Sequence, residues 1–287
     1  RDTDRSRGLG DVYKRQHNNK RPSMYVSLGI FTQYRRELMG VATVLILLCH
    51  SLLPPAIHCP NDILRWIIIT GNRGVDIFLF LSGLGMYHSL RKMTKWNRGG
   101  VIRWYAKRYR HILLPYLLIC FPYYLVLGCV NDGHFSISIF LYRLSTLNYW
   151  LEHKGFWYIA MLIPLYFLTP FYARIIDKTK YQTLLTVTLC IILLLISTIK
   201  IENNNLFSHV WNNTAFVLQR IPSYLIGYYM APSILKGKKV NLLKLTGIIA
   251  GCFLVIKIIF PAIRSGNGWR YCLLYTSPSP RDRSVSR

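Results

Sequence analysis

RGVDIFLFLSGLGMYHSL (73–90) and the RKMTKWNR that follows it (91–98) decide the fold. One carboxylate, Asp76, opens a run of apolar and small residues. The run approaches the roughly 20 residues a helix needs to cross a hydrocarbon core. Basic residues close it: Arg91, Lys92, Lys95 and Arg98, then Arg103, Lys107, Arg108 and Arg110, with no acid among them. An apolar run that ends in Lys and Arg is a membrane span with its basic end in the cytoplasm.

The same pattern recurs along the chain. With 73–90, stretches at about 37–55, 111–130, 156–176, 182–199, 215–235 and 241–262 make seven expected spans. The expected fold is therefore an all-α, polytopic transmembrane helix bundle. Residues 134–151, which hold Arg143 and several Ser and Asn, read as interfacial, and 63–70 as a short interfacial helix. Composition agrees. Of 287 residues, 52% are hydrophobic and only 16% charged, against roughly a quarter charged in soluble domains. A soluble enzyme and a disordered chain are both excluded. The net charge of +25 sits in clusters between apolar runs, so the expected partner is the lipid bilayer and not nucleic acid.

Acids appear in the alternate loops, at Asp62, Asp132, Glu152 and Glu202, so the positive-inside rule puts the amino terminus in the cytoplasm. The localisation expected is the cell inner (plasma) membrane. Five cysteines, Cys49, Cys120, Cys129, Cys190 and Cys252, lie in apolar runs, and no CxxC spacing occurs, so no metal site is expected.

The two ends read differently. A single DNA segment encodes SRGLGDVYKRQ (6–16), and its reverse complement, in a shifted frame, encodes CLLYTSPSPRD (272–282). Residues 1–16 and 272–287 therefore resemble a sequencing adapter translated from both strands. That leaves 17–271 as the native domain, with Met24 as its start and the gene cut at its 3′ end.

Two polar side chains stand where lipid is expected. His50 closes VATVLILLCH in the first span and Asp76 opens the second. A charge near a bilayer centre costs about 2.5–3.5 kcal/mol, so such groups are functional or paired. The connecting loop is short, so these helices are expected to be neighbours with the two side chains in contact. A His held by a carboxylate is the usual base for a hydroxyl. The alternative is a pair that only joins two helices, and the residues alone do not choose between them. Lys257, in the seventh span, is given no role. Most of the loop Lys and Arg are topology signals; Arg108 and Arg110, at the mouth of a span, are the exception.

RRELMGVATVLILLCHS (35–51), NRGVDIFLFLSGLGMY (72–87), YAKRYRHILLPYLL (105–118), GFWYIAMLIPLYFLTP (155–170) and RIPSYLIGYYMAP (220–232) together resemble the acyltransferase-3 family of integral membrane acyltransferases. Members have about ten spans of about 20 residues each, so the resemblance implies a copy cut short after seven. It implies transfer of an acyl group, commonly acetyl, from cytoplasmic acyl-CoA to a hydroxyl of a cell-surface or lipid-linked glycan. Acyl-CoA would be a co-substrate, with no bound cofactor. His50 matches the family's base and Asp76 the acid of its GVD motif. Arg108 and Arg110 match the cluster assigned to the CoA phosphates, for which forked guanidinium groups are suited. Where many members carry Arg eleven residues before the His, this chain has Met39; Arg36, one turn earlier, is expected to present that charge. A glycan or solute transporter (flippase) and a non-catalytic membrane subunit are the competing readings. Inverted repeats would favour the transporter, and none is evident.

Overall fold

The computed structural model describes residues 25–51, 70–93, 97–130, 136–201, 205–241 and 243. The tails 1–16 and 272–287, Met24, Cys252, Lys257, nearly all of the helix expected at 63–70 and nearly all of the span expected at 241–262 lie outside the described residues.

The described chain is mostly helical. Hydrocarbon offers the backbone no hydrogen bonds, so a spanning segment must pair its own N–H and C=O groups, as a helix does. In chain order the elements are β1 (Tyr25–Ser27), α1 (Ile30–Gln33), α2 (Arg35–Ser51), a 3₁₀ turn (Gly71–Arg73), α3 (Gly74–Arg91), α4 (Arg98–Val130), α5 (Ile137–Leu144), α6 (Leu147–Glu152), α7 (Trp157–Lys178), α8 (Gln182–Thr198), α9 (Leu206–Leu218), α10 (Ile221–Leu235) and β2 (Lys239–Asn241). Of these, α4 and α7 are each long and apolar enough to cross a membrane; α8 is apolar but shorter.

The described residues form two compact units, 25–33 with 233–241, and 34–232. In the first, β1 pairs antiparallel with β2, Tyr25 opposite Asn241 and Ser27 opposite Lys239.

In the second unit α2 and α3 are neighbours, as expected. A Cβ on Gly71 would stand 2.4 Å from the Leu45 carbonyl, and one on Gly74 2.6 Å from that of Ala42. The contacts pair later α2 residues with earlier α3 residues, so the helices run antiparallel. Arg35, Ala42 and Cys49 recur every seven residues, two helical turns, and Ala42 and Cys49 are buried. Val41, Val44, Leu47 and Leu48 on the other side of α2 are exposed. Exposed apolar side chains continue on α4 at Leu114, Leu117, Leu118 and Phe121. Exposed apolar helix faces of this kind suit the lipid of a membrane.

The span expected at 215–235 is instead two helices. Asn205 starts α9 early, its side chain accepting the Ser208 N–H at 2.9 Å. The break falls at Gln219–Arg220 because Pro222 has no N–H for the Leu218 carbonyl and its ring crowds that carbonyl.

Within the segment expected at 134–151, the described residues from 136 onward fold as α5 and α6, separated by Thr146 in the left-handed region (φ 66°). After α6 the chain turns through His153 (φ 57°) and Gly155 (φ 90°). A Cβ on Gly155 would stand 2.7 Å from the Asn148 amide nitrogen, so both space and φ require glycine there. Asn213 of α9 ties this turn down. Its amide donates to the Tyr149 and Trp150 carbonyls at 2.9 Å each, and its side chain also bonds His153.

Burial lowers the pKa of His153, and the hydrogen bond to Asn213 opposes that only in part. The unfolded chain then takes up a proton near the ordinary value of about 6.5 while the folded protein resists. Stability is therefore complete above that pH and is lost as pH falls towards the depressed folded value. The thermal midpoint is expected to fall between pH 7 and pH 5, and His153→Asn, which suits the left-handed backbone, to flatten that slope. Equal slopes in parent and variant would refute the assignment.

Candidate active site

Asp76 and His50 do not meet. Gly71 sits against Leu45, and from that level the antiparallel helices carry His50 five residues one way and Asp76 five residues the other. At 1.5 Å per residue this is about 15 Å along the axis. This corrects the expectation of a His–Asp contact: a short loop makes neighbours of two helices but does not set two side chains at one height.

Asp76 has other partners. Arg220 donates to its Oδ2 at 3.0 Å, and the Ser223 hydroxyl to its Oδ1 at 3.2 Å. Arg73 stands 3.5 Å away. Arg220 is buried, at 8% exposure. Its carboxylate partner offsets the cost of taking both charges out of water. A lone arginine inside the expected span 215–235 was the sequence signal for this pair.

The His50 Nδ1 lies 2.8 Å from the Ile46 carbonyl. A carbonyl cannot donate, so a neutral imidazole in this pose carries its proton on Nδ1 and its lone pair on Nε2. The helix's own backbone thus fixes the tautomer, a task expected of Asp76.

At the other end of α2 and α3 lies a pair of cations. Arg35 reaches α3 with Nη2 3.5 Å from the Leu81 carbonyl, over Gly85, where a Cβ would come within 3.0 Å of the guanidinium. Arg108 of α4 donates from Nε to Ser89 Oγ at 3.0 Å, an oxygen that also accepts Trp104 Nε1–H at 2.8 Å. Arg108 is within electrostatic reach of Arg35 and of the Tyr166 and Tyr224 hydroxyls. Among the described residues no carboxylate pairs with either arginine. A half-buried Arg108 and an exposed Arg35 that reaches back onto α3, without an acid, leave forked donors for an anion.

The other expected arginines lie elsewhere. Arg36 is exposed, one residue and about 100° round the helix from Arg35. Arg110, two residues after Arg108, is exposed beside Lys107 and His111 in a shallow groove. Arg35, which the sequence reading passed over, shares its face with Ala42 and Cys49, and that seven-residue spacing was the signal.

Beside the cations, hydroxyl groups line the seam of α3, α7 and α10. Ser82 bonds Tyr166 at 2.6 Å and Thr169 bonds Tyr224 at 2.6 Å.

A family model described as an acyltransferase domain matches residues 38–279, most of the chain. The chain belongs to the acyltransferase-3 family. It is accordingly a membrane acyltransferase, and the exposed apolar faces of α2 and α4 suit the bilayer that the family occupies. The family match covers α2 from residue 38 and every later element named above, so His50, Asp76, Arg108 and Arg220 all lie within it, and Arg35 just before it. Neither the comparison with curated proteins nor that with solved structures gives a match.

Proposed function

We propose that this protein moves an acyl group, acetyl in the first instance, from acyl-CoA to a hydroxyl of a cell-surface or lipid-linked glycan, with His50 as the base. The carrying observation is the 2.8 Å approach of His50 Nδ1 to the Ile46 carbonyl, which leaves the lone pair of a neutral imidazole on Nε2 to accept a proton.

In this reading the CoA phosphates bind Arg35 and Arg108 at the cytoplasmic face, with Arg36 and Arg110 adding attraction from the rim. The amino terminus is cytoplasmic and the membrane is the cell inner (plasma) membrane. Fifteen residues separate Arg35 from His50, about 22 Å of helix. The donor therefore leaves the cations past the Ser82, Tyr166 and Tyr224 hydroxyls beside them and extends towards the outer end with its thioester. His50 Nε2 takes the proton of the acceptor hydroxyl as its oxygen attacks the thioester carbonyl carbon. The C–S bond breaks, and the imidazolium returns the proton to the departing thiolate. Asp76 takes no proton in this scheme.

Membranes carrying the protein, given acetyl-CoA labelled in the acetyl group, are expected to place label in the glycan fraction. Label that stays with CoA in the presence of acceptor would overturn the reading. A helix broken within the bundle and holding a buried ion pair is also an architecture that transporters use. Movement of unmodified glycan across the membrane in the same experiment would favour that function.

A further inference from the structure

We propose that Arg220 is a positioning residue for the transfer step: by holding Asp76 it sets the height of α10 against α3, and so places the Tyr224 hydroxyl beside Arg108. The inference rests on the transfer reading above.

Arg220 stands in the break between α9 and α10, where its main chain belongs to neither helix. Its partner Asp76 lies on α3, and Ser223, in the first turn of α10, binds the same carboxylate. These bonds fasten the beginning of α10 to α3.

Beyond them the contact is smooth. Asp76 and Gly83 are seven residues apart on α3, two turns, and Gly227 of α10 likewise follows Arg220 by seven residues. A Cβ on Gly83 would stand 2.2 Å from the Tyr224 carbonyl, and one on Gly227 2.1 Å from that of Phe80. The two backbones touch, the close approach that small residues allow between membrane helices. The Tyr87 and Tyr228 rings follow edge to face at 5.3 Å. Glycine surfaces carry no knob to stop one helix sliding on the other, so register must come from a directional bond. Asp76–Arg220 is that bond.

The break makes the tie necessary. Asn213 pins α9 to α6, but Pro222 interrupts the rigid connection from α9 to α10. Tyr224 follows Arg220 by one turn and is fully buried, its hydroxyl on Thr169. A slip of one residue would move it about 1.5 Å along the axis, enough to break a 2.6 Å hydrogen bond. Arg35 and Arg108, whose hydrogen bonds are to Leu81 and Ser89 of α3, would keep them.

The test uses purified full-length chain in detergent and four variants: Arg220→Met, Asp76→Asn, the two combined, and Arg220→Lys. Asp76→Asn strands the buried Arg220 charge and is expected to lower the thermal midpoint, whereas Arg220→Met leaves Asp76 with Arg73 and Ser223 and should lower it less. The double variant removes both charges and is expected to regain the midpoint. It should also keep the parental KM for acetyl-CoA and the parental thermal shift with CoA, yet turn over at least about tenfold more slowly, since tenfold is only about 1.4 kcal/mol of misplacement. Parental kcat in the folded double variant would overturn the inference. Arg220→Lys keeps the charge but not the fork, so it carries the test if the double variant does not fold. Its kcat should fall at parental KM with a pH profile of unchanged shape; parental kcat, or a reshaped profile pointing to direct proton transfer by Asp76, would overturn it. Failure of the transfer reading looks different: the parent itself would show neither transfer nor a CoA shift, and this inference would fall with it.

Discussion

His50→Ala is expected to lower kcat for acyl transfer by about 10²–10⁴-fold, the usual worth of a positioned general base. The protein should still fold. The side chain is exposed, and it bonds the Ile46 carbonyl of its own helix. Truncation therefore strands no buried partner and opens no cavity. The expected signature is an unchanged thermal midpoint, an unchanged KM for acyl-CoA and a collapsed kcat. The two alternatives for what orients His50 also separate here. The backbone carbonyl of Ile46 survives every substitution, so no side-chain change on α3 should reproduce the loss of the tautomer. Asp76→Asn should affect kcat through the seat of α10 and leave the pH profile in shape. A parental turnover rate in His50→Ala would remove the imidazole from the chemistry.

The second large effect is at the opposite end of α2. Arg35→Met combined with Arg108→Met is expected to raise the KM for acyl-CoA by about 100-fold or more, with kcat changing far less. A hydrogen bond to a charged group is worth about 1.5–3 kcal/mol, or about tenfold to 150-fold per arginine. Two cations near one another without an acid also repel, so neutralising them should not lower the thermal midpoint of the unliganded protein. A gain in stability with a loss in binding is the mark of a charge kept for a ligand and not for the fold. Arg36→Met and Arg110→Met should raise KM less, because neither is held against α3 as Arg35 and Arg108 are, and a loosely held surface charge is screened by water and salt. A double variant with parental KM would show that the phosphates bind elsewhere.

The sequence by itself determined the solvent of this protein, its helical class and most helix positions. Those follow from one-dimensional facts: 18–20 apolar residues can satisfy their backbone in lipid only as a helix, and basic clusters mark the ends. It also determined the family, since the motifs around His50, Asp76 and Arg108 stand in order along the chain. The interruption at Gln219–Arg220 was written in Pro222, but hydropathy averages over a window and passes across a single missing N–H. Contacts between helices were another matter. Whether Asp76 meets His50 or Arg220 depends on the relative height of α2, α3 and α10, which Gly71, Gly74, Gly83 and Gly227 set by letting backbones touch. The choice of Arg35 over Arg36 depends on about 100° of helix rotation, fixed by Ala42 packing on α3. Hydropathy carries no term for height or rotation. Only tertiary packing supplies both, and here it gave His50 a backbone carbonyl and Asp76 an arginine.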